Sequence, residues 1–168
     1  MIKKLIILHI VLIITFFSGC SGCNKNKHVL NTKDIKLELK LKRFEQDLFA
    51  CKSVEDILKL KESHATFYPI YVNNIMPQKI RGMESIENDV AVELYRYISH
   101  PDMDSLYRLT QQKFANFEIH FDELSEASKY IYHYFPEDKI ETITTYLSTF
   151  EFGSIYNEDE PSFGVGLD

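Results

Sequence analysis

The sequence predicts an α+β domain: one N-terminal strand, four to five helices, and a C-terminal β-hairpin or meander. Three observations carry that prediction. Ile35, Leu37, Leu39 and Leu41 alternate with Lys36, Glu38, Lys40 and Lys42, the period of a strand with one buried face. Between Ser53 and Phe135 apolar residues recur at helical spacing, punctuated by proline and by capping residues. Beyond Pro136 the chain becomes rich in Ile, Thr and Tyr, with Gly153 and a polar turn at Asn157-Glu158-Asp159-Glu160-Pro161 as breaks, as short strands require. A strand, a block of helices and then further strands is the order of an α+β layout.

The elements follow in order. The strand leads into Phe44, Leu48 and Phe49, which fasten the turn behind it. Ser53 is placed to cap a helix whose first turn carries Glu55 and Asp56, and Ile57, Leu60 and His64 share one side of it. Pro69 begins a short helix containing Ile70, Val72, Asn73 and Ile75, and Pro77 and Gly82 mark a loop. Ser85 caps the next helix, with Ile86, Val90, Leu94 and Tyr97 on one side, and His100-Pro101 ends it because the residue before proline avoids the helical region. Asp102 or Asp104 begins another, with Met103, Leu106, Tyr107, Thr110 and Phe114 aligned. The last helix starts at about Phe117, carries the stripe Phe117, Phe121, Leu124, Ser128, Ile131 and Phe135, and stops at Pro136. All of these stripes are expected to be core. Residues 140–150, 154–156 and 162–167 are the strand candidates, and Gly164-Val165-Gly166 reads as a strand needing small residues for close packing.

Ahead of the domain stands a secretory leader. Lys3 and Lys4 precede an apolar run from Leu5 to Phe17, and Ser18-Gly19-Cys20 follows. The run is too short to span a bilayer, which takes about 20 apolar residues. Small residues directly before a cysteine have the form of a lipobox, so residues 1–19 are expected to be a cleaved signal peptide and Cys20 the acylated new N-terminus. Cys23 also follows Ser-Gly, but a site there would begin with Cys20. Each buried acyl methylene contributes about 0.8 kcal/mol, so several chains on one sulfur hold a protein durably to membrane lipid. Residues 20–33 are polar and form a tether, and residues 34–168 a single domain.

Composition limits the functional classes. The chain of 168 residues has a formal net charge of −6, and losing Lys3 and Lys4 with the leader lowers it to −8. An acidic domain of this kind excludes nucleic acid as the expected partner. Lys25, Lys27, Lys33, Lys36, Lys40, Lys42 and Arg43 form one basic cluster next to the anchor, where each basic residue near anionic headgroups is worth about 1 kcal/mol. Within it Lys36, Lys40 and Lys42 also read as the polar face of the strand, with Glu38. Cys51 follows Leu48-Phe49-Ala50 and is expected to be a buried thiol rather than a partner of Cys23.

No catalytic motif stands out. No two histidines lie three or four residues apart, so no helix offers a paired-imidazole metal site. His120 and Glu123 share a helix side but are two ligands, and a solvated helix face is the expectation. There is no Gly-x-Ser-x-Gly elbow, and Gly164-Val165-Gly166 lacks the third glycine and following helix of a phosphate loop. No catalytic residue, metal ligand or cofactor is therefore assigned, and Cys20 is the one site residue.

The ordered segments resemble a known family. Arg43-Phe44-Glu45-Gln46-Asp47-Leu48-Phe49 behind a Lys/Leu-alternating strand is similar to the opening of the gliding-motility lipoprotein GldB family of the Bacteroidetes group. Tyr68-Pro69 with Tyr71 and Asn74-Ile75, then Tyr132, Tyr134, Phe135 and Pro136, then Gly164-Val165-Gly166-Leu167-Asp168 resemble its later segments in the same order. The resemblance implies a membrane-attached cell-envelope protein associated with the gliding machinery; with the lipobox and the lack of a catalytic motif, the expectation is a non-enzymatic component anchored through Cys20, facing the periplasm and partnered by other gliding-machinery or envelope proteins. It also implies that the chain matches the N-terminal half of the family pattern, so that the domain is truncated at its C-terminus. The family looks distantly like the zincin peptidases, which implies an incomplete zincin-like domain here. A degenerate or truncated zinc metallopeptidase-like protein is the rival, although no His-Glu-x-x-His occurs in the chain. A substrate-binding lipoprotein with an aromatic pocket, to which the Tyr-rich stretch 130–135 is suited, is the third reading.

Overall fold

The structure, a computed structural model, describes residues 30–76, 87–158 and 161–168. The expected leader, Cys20, Cys23, most of the expected tether, the loop expected at Pro77 and Gly82, the expected Ser85 cap and Ile86 lie outside the described residues. Residues 32–168 form one unit.

Strand β1 (Lys40–Arg43) runs directly into helix α1 (Phe44–Ala50). Helix α2 (Val54–Ser63) follows, then α3 (Phe67–Ile70), which continues as a π-helical turn over Tyr71–Ile75. Helices α4 (Glu87–Ile98), α5 (Pro101–Phe114) and α6 (Glu118–Tyr134) complete the helical block, and β2 (Thr142–Tyr146), β3 (Ser154–Asn157) and β4 (Ser162–Gly166) close the chain. The expected α+β order is present, with a four-stranded mixed sheet in the order β1-β2-β4-β3. The hairpin is β3–β4, antiparallel with Ile155 opposite Gly164. β2 pairs in parallel with both β1 and β4. The helical block is thus the crossover that a parallel β1–β2 pair needs.

Several boundaries differ from expectation. The alternating segment is half-buried at Ile35, Leu37 and Leu39 and exposed between them, but the ladder covers only Lys40–Arg43. Its partner turns away. Lys40 N–H donates to Glu141 O at 3.0 Å, and the chain before Thr142 instead bonds to the hairpin, with Glu141 N–H on Pro161 O at 2.7 Å. The segment after β1 is a two-turn helix rather than a turn. α3 begins at Phe67, two residues ahead of Pro69, which fits in the first turn where its missing N–H is not needed. The π-turn, closed by Met76 N–H on Tyr71 O at 2.9 Å, places Tyr71, Val72, Ile75 and Met76 together in the core. α5 starts at Pro101, and its cap is the imidazole of His100, whose Nδ1 accepts the Asp102 N–H at 3.2 Å. The Ser53 cap is as expected, with its hydroxyl accepting the Asp56 N–H at 3.2 Å.

Both faces of the sheet are covered. On one face Phe44, Phe67, Tyr71 and Tyr146 pack with Leu48, Ile57, Leu60 and Leu94 from α1, α2 and α4. On the other, Leu147 and Leu167 pack with Phe117, and Leu41, Val165, Leu106, Phe114, Phe121 and Leu124 complete the cluster. Tyr146 and Leu147 belong to opposite clusters, as successive residues leaving a strand do. β2, central and covered on both sides, is buried from Ile143 to Tyr146. The two glycines of β4 are required by packing. A Cβ on Gly164 would meet the Tyr146 ring at 3.0 Å, and one on Gly166 would lie 2.2 Å from Phe152 O.

The expectation that every helical stripe is core fails at one place. The α6 stripe is covered at Phe121, Leu124 and Ser128, but Ile131 is 36% and Phe135 60% exposed. Periodicity says which residues share a side of a helix and not whether a neighbour reaches that far along it. Cys51, expected to be buried, is half-buried, with its Sγ 3.4 Å from Asp47 O.

Candidate functional site

Three places combine polar groups in settings that sequence alone leaves open. The first is the junction of β1 and α1. Arg43 ends the strand and Glu45 lies in the first turn of the helix, and both side chains reach Thr145 of β2. Glu45 is fully buried. Arg43 Nε donates to Glu45 Oε1 at 2.8 Å and to Thr145 Oγ1 at 3.0 Å, and Thr145 Oγ1 donates to Glu45 Oε2 at 2.6 Å. The rest of the guanidinium reaches the end of α5, donating to Phe114 O at 2.8 Å and Ala115 O at 3.3 Å, and it lies over the Phe117 ring at 5.3 Å. A buried carboxylate is stable only when paired and hydrogen-bonded, and here both oxygens are satisfied. The junction joins strand, helix, central strand and the α5–α6 turn. Its chemistry is structural.

The other residues of the same heptapeptide are used in a similar way. Phe44 packs against His64, Phe67 and Tyr71, with ring centroids 4.7 to 5.1 Å away. Gln46 donates to Gln111 Oε1 of α5 at 2.7 Å. Phe49 stacks on Tyr107 at 4.4 Å with the rings 2° from parallel.

The second place is an open groove of about 870 Å³ along the free edge of β1. It is lined by Lys42, Asp47, Cys51, Asp56, Lys59 and His64, among others. His64 Nε2–H donates to Asp47 Oδ2 at 2.8 Å, while its buried Nδ1 has no hydrogen-bond partner among the described residues. Burial, helped by the nearby Asp56 and Asp47 carboxylates, raises the Cys51 thiol above its usual range. A thiol so placed stays protonated near neutral pH, the reverse of what an activated nucleophile needs.

The third place lies at the C-terminal ends of the parallel strands, where ligands of open α/β sheets commonly sit. The Asp168 carboxylate, just beyond β4, accepts Ser148 N–H and Phe150 N–H, each at 2.9 Å, and Ser148 Oγ at 3.3 Å. Ser148 Oγ in turn accepts the N–H groups of Glu151 and Phe152 at 3.1 and 3.0 Å. This clamp holds Thr149 and Phe150 at φ of 60° and 64°, left-handed backbone that side chains other than glycine seldom adopt. Three tyrosines stand behind it. Tyr71 OH donates to Leu147 O at 3.0 Å and Tyr146 OH to Phe152 O at 3.1 Å. The buried Tyr97 hydroxyl has no partner of good geometry among the described residues. Burial raises all three phenols, with the Asp168 charge adding to it. Tyr71 and Tyr97 rise well above the usual range and Tyr146 is pushed up to about 12. The tyrosines therefore stay neutral, and the cluster is a rigid support for the loop.

The sequence-predicted residues are dispersed. Cys20, the one assigned site residue, lies outside the described residues. His120 and Glu123 form an exposed pair at 3.7 Å on α6, as a solvated helix face provides. Among the described residues no three His, Cys, Asp or Glu side chains gather as metal ligands, and no helix is long and apolar enough to cross a membrane. The Asp168 clamp and the Arg43–Glu45–Thr145 junction were missed, because their members are separated by about 20 to 100 positions and no local pattern marks them.

No curated protein and no solved structure matches the chain. One family model does, that of the gliding motility protein GldB, and it covers residues 25–168. The match spans the whole described fold, from the segment ahead of β1 to the Asp168 clamp, and the chain belongs to the GldB gliding-motility family.

Proposed function

We propose that this protein is a non-catalytic envelope component of a gliding-motility apparatus, held to a membrane through lipid on Cys20 and facing the periplasm. The family match carries the motility assignment. The lipobox form of Ser18-Gly19-Cys20 behind a short apolar run carries the anchor. Residues 1–19 are the leader that is removed, 20–33 the tether, and 34–168 the domain presented to other proteins of the machinery. The geometry supports a binding rather than a chemical role. The Arg43, Glu45 and Thr145 groups satisfy one another, and the Cys51 thiol and the three tyrosines are held neutral.

The test is a chromosomal deletion in a gliding host. Colony spreading should be lost, should return with the wild-type gene, and should not return with Cys20→Ser at equal protein level. Unimpaired spreading of the deletion strain would overturn the motility role.

A further inference from the structure

We propose that the exposed C-terminal end of α6 is a membrane-docking tip, and that its occupant is the lipid surface to which the chain's own anchor is attached; the proposal rests on acylation of Cys20.

The helix leaves the body at its last turn. Ser128 is 2% exposed, whereas Ile131, Tyr132, Tyr134 and Phe135 are 36, 36, 61 and 60% exposed. Ile131, Tyr134 and Phe135 stand at i, i+3 and i+4 on one side of the last turn with Tyr132 beside them, and every residue from Ile131 to Lys139 is exposed, so this end projects from the fold. Asp138 N–H bonds back to Phe135 O at 3.0 Å and turns the chain behind it.

The tether is what selects lipid over another occupant. Thr32 Oγ1 donates to Glu126 Oε2 at 3.1 Å, so the domain begins beside α6 itself. Glu126 and Tyr134 are eight residues apart, about 12 Å along the axis. Cys20 lies twelve residues before Thr32, and twelve residues span at most about 40 Å. An acyl chain on Cys20 therefore keeps the tip within one short tether of the bilayer, which raises its effective concentration there greatly. The chemistry of the tip fits the destination. Tyr and Phe combine a large apolar ring with, in Tyr, a polar end, and aromatic residues with such ends gather at the headgroup level. Glu137 and Asp138 sit beside the tip, and Lys139 pairs with Glu141 at 2.9 Å. Docking should accordingly come from ring insertion and require no anionic lipid.

The chain has no tryptophan, so a single introduced one reports alone. The test compares Phe135→Trp with Leu109→Trp, placed at a 64% exposed position of α5. Each full chain, with its native anchor, is reconstituted into phosphatidylcholine vesicles with or without brominated acyl chains. In phosphatidylcholine alone Phe135→Trp should show a blue-shifted emission that bromine quenches, while Leu109→Trp keeps a water-like spectrum. Sedimentation with the vesicles scores the anchor separately. A chain that sediments while Phe135→Trp stays water-like and unquenched overturns the docking and leaves the anchor standing. A chain that does not sediment overturns both. A blue shift that grows with protein concentration in lipid-free detergent identifies a second copy as the occupant and overturns the proposal, as does a shift in vesicles that bromine leaves unquenched.

Discussion

Asp168 and Phe150 are joined by a hydrogen bond from the Phe150 N–H to Oδ2 at 2.9 Å, and the residue so held is in left-handed backbone at φ 64°. The side chain of Phe150 is 75% exposed and gives little packing in return. Left-handed backbone costs an L-residue about 1–2 kcal/mol, and glycine's extra unfolded-state freedom costs about 0.5–1 kcal/mol. Phe150→Gly should therefore leave stability equal or higher by up to about 1 kcal/mol, while Phe150→Val should lower it. Urea unfolding of the two variants checks the sign. A lower midpoint for glycine than for valine would mean that the loop is not held as described.

The Arg43–Glu45–Thr145 junction should be the least tolerant polar place in the fold. Glu45→Ala leaves a buried guanidinium without its carboxylate, and breaking such a pair costs about 3–5 kcal/mol. Replacing both partners, as Arg43→Met with Glu45→Leu, should cost less than the single change, because no charge is left uncompensated. A double-mutant cycle read from denaturant midpoints measures the difference.

Two glycines make a direct contrast. A Cβ on Gly166 would meet the Phe152 carbonyl oxygen at 2.2 Å, whereas one on Gly153 meets nothing within 4 Å. Gly166→Ala should destabilise by about 1–3 kcal/mol through forced backbone movement, and Gly153→Ala should stay within about 0.5 kcal/mol of wild type. Thermal melts of both variants suffice.

The buried phenols set an alkaline limit. Tyr71, Tyr97 and Tyr146 have folded-state values raised above the ordinary one near 10, Tyr146 to about 12. A raised value means the folded protein holds the proton more tightly than the unfolded chain does. Their contribution is thus complete below about pH 10 and is lost as pH climbs toward 12. The melting temperature should fall across that window, and less steeply in Tyr97→Phe, which removes one of the titrating groups. Equal slopes for both proteins would contradict the burial of Tyr97.

What the sequence shows of this fold follows the range of the forces involved. The Ser53 cap, the α5 face of Met103, Leu106, Tyr107, Thr110 and Phe114, and the small residues of β4 are local patterns, and each is found as read. The parallel pairing of β1 with β2 joins Leu41 to Ile143 across the whole helical block, and neither strand carries a mark of it. β4 sits between β2 and β3 although it is last in the chain, again a long-range choice. The Ile-, Thr- and Tyr-rich run 140–150 reads as one strand, but the ladder covers only Thr142–Tyr146, and the Asp168 carboxylate holds residues 148–150 in a loop. The candidate sites differ in the same way: the lipobox expected at Cys20 is a contiguous motif, while the Asp168 clamp exists only once the sheet has formed.

The mass of the mature protein's N-terminal peptide tests the account most directly. Protein taken from the membranes of its native host should yield a peptide that begins at Cys20 and carries acyl chains on that residue. An unmodified N-terminal peptide from a freely diffusing protein would contradict it.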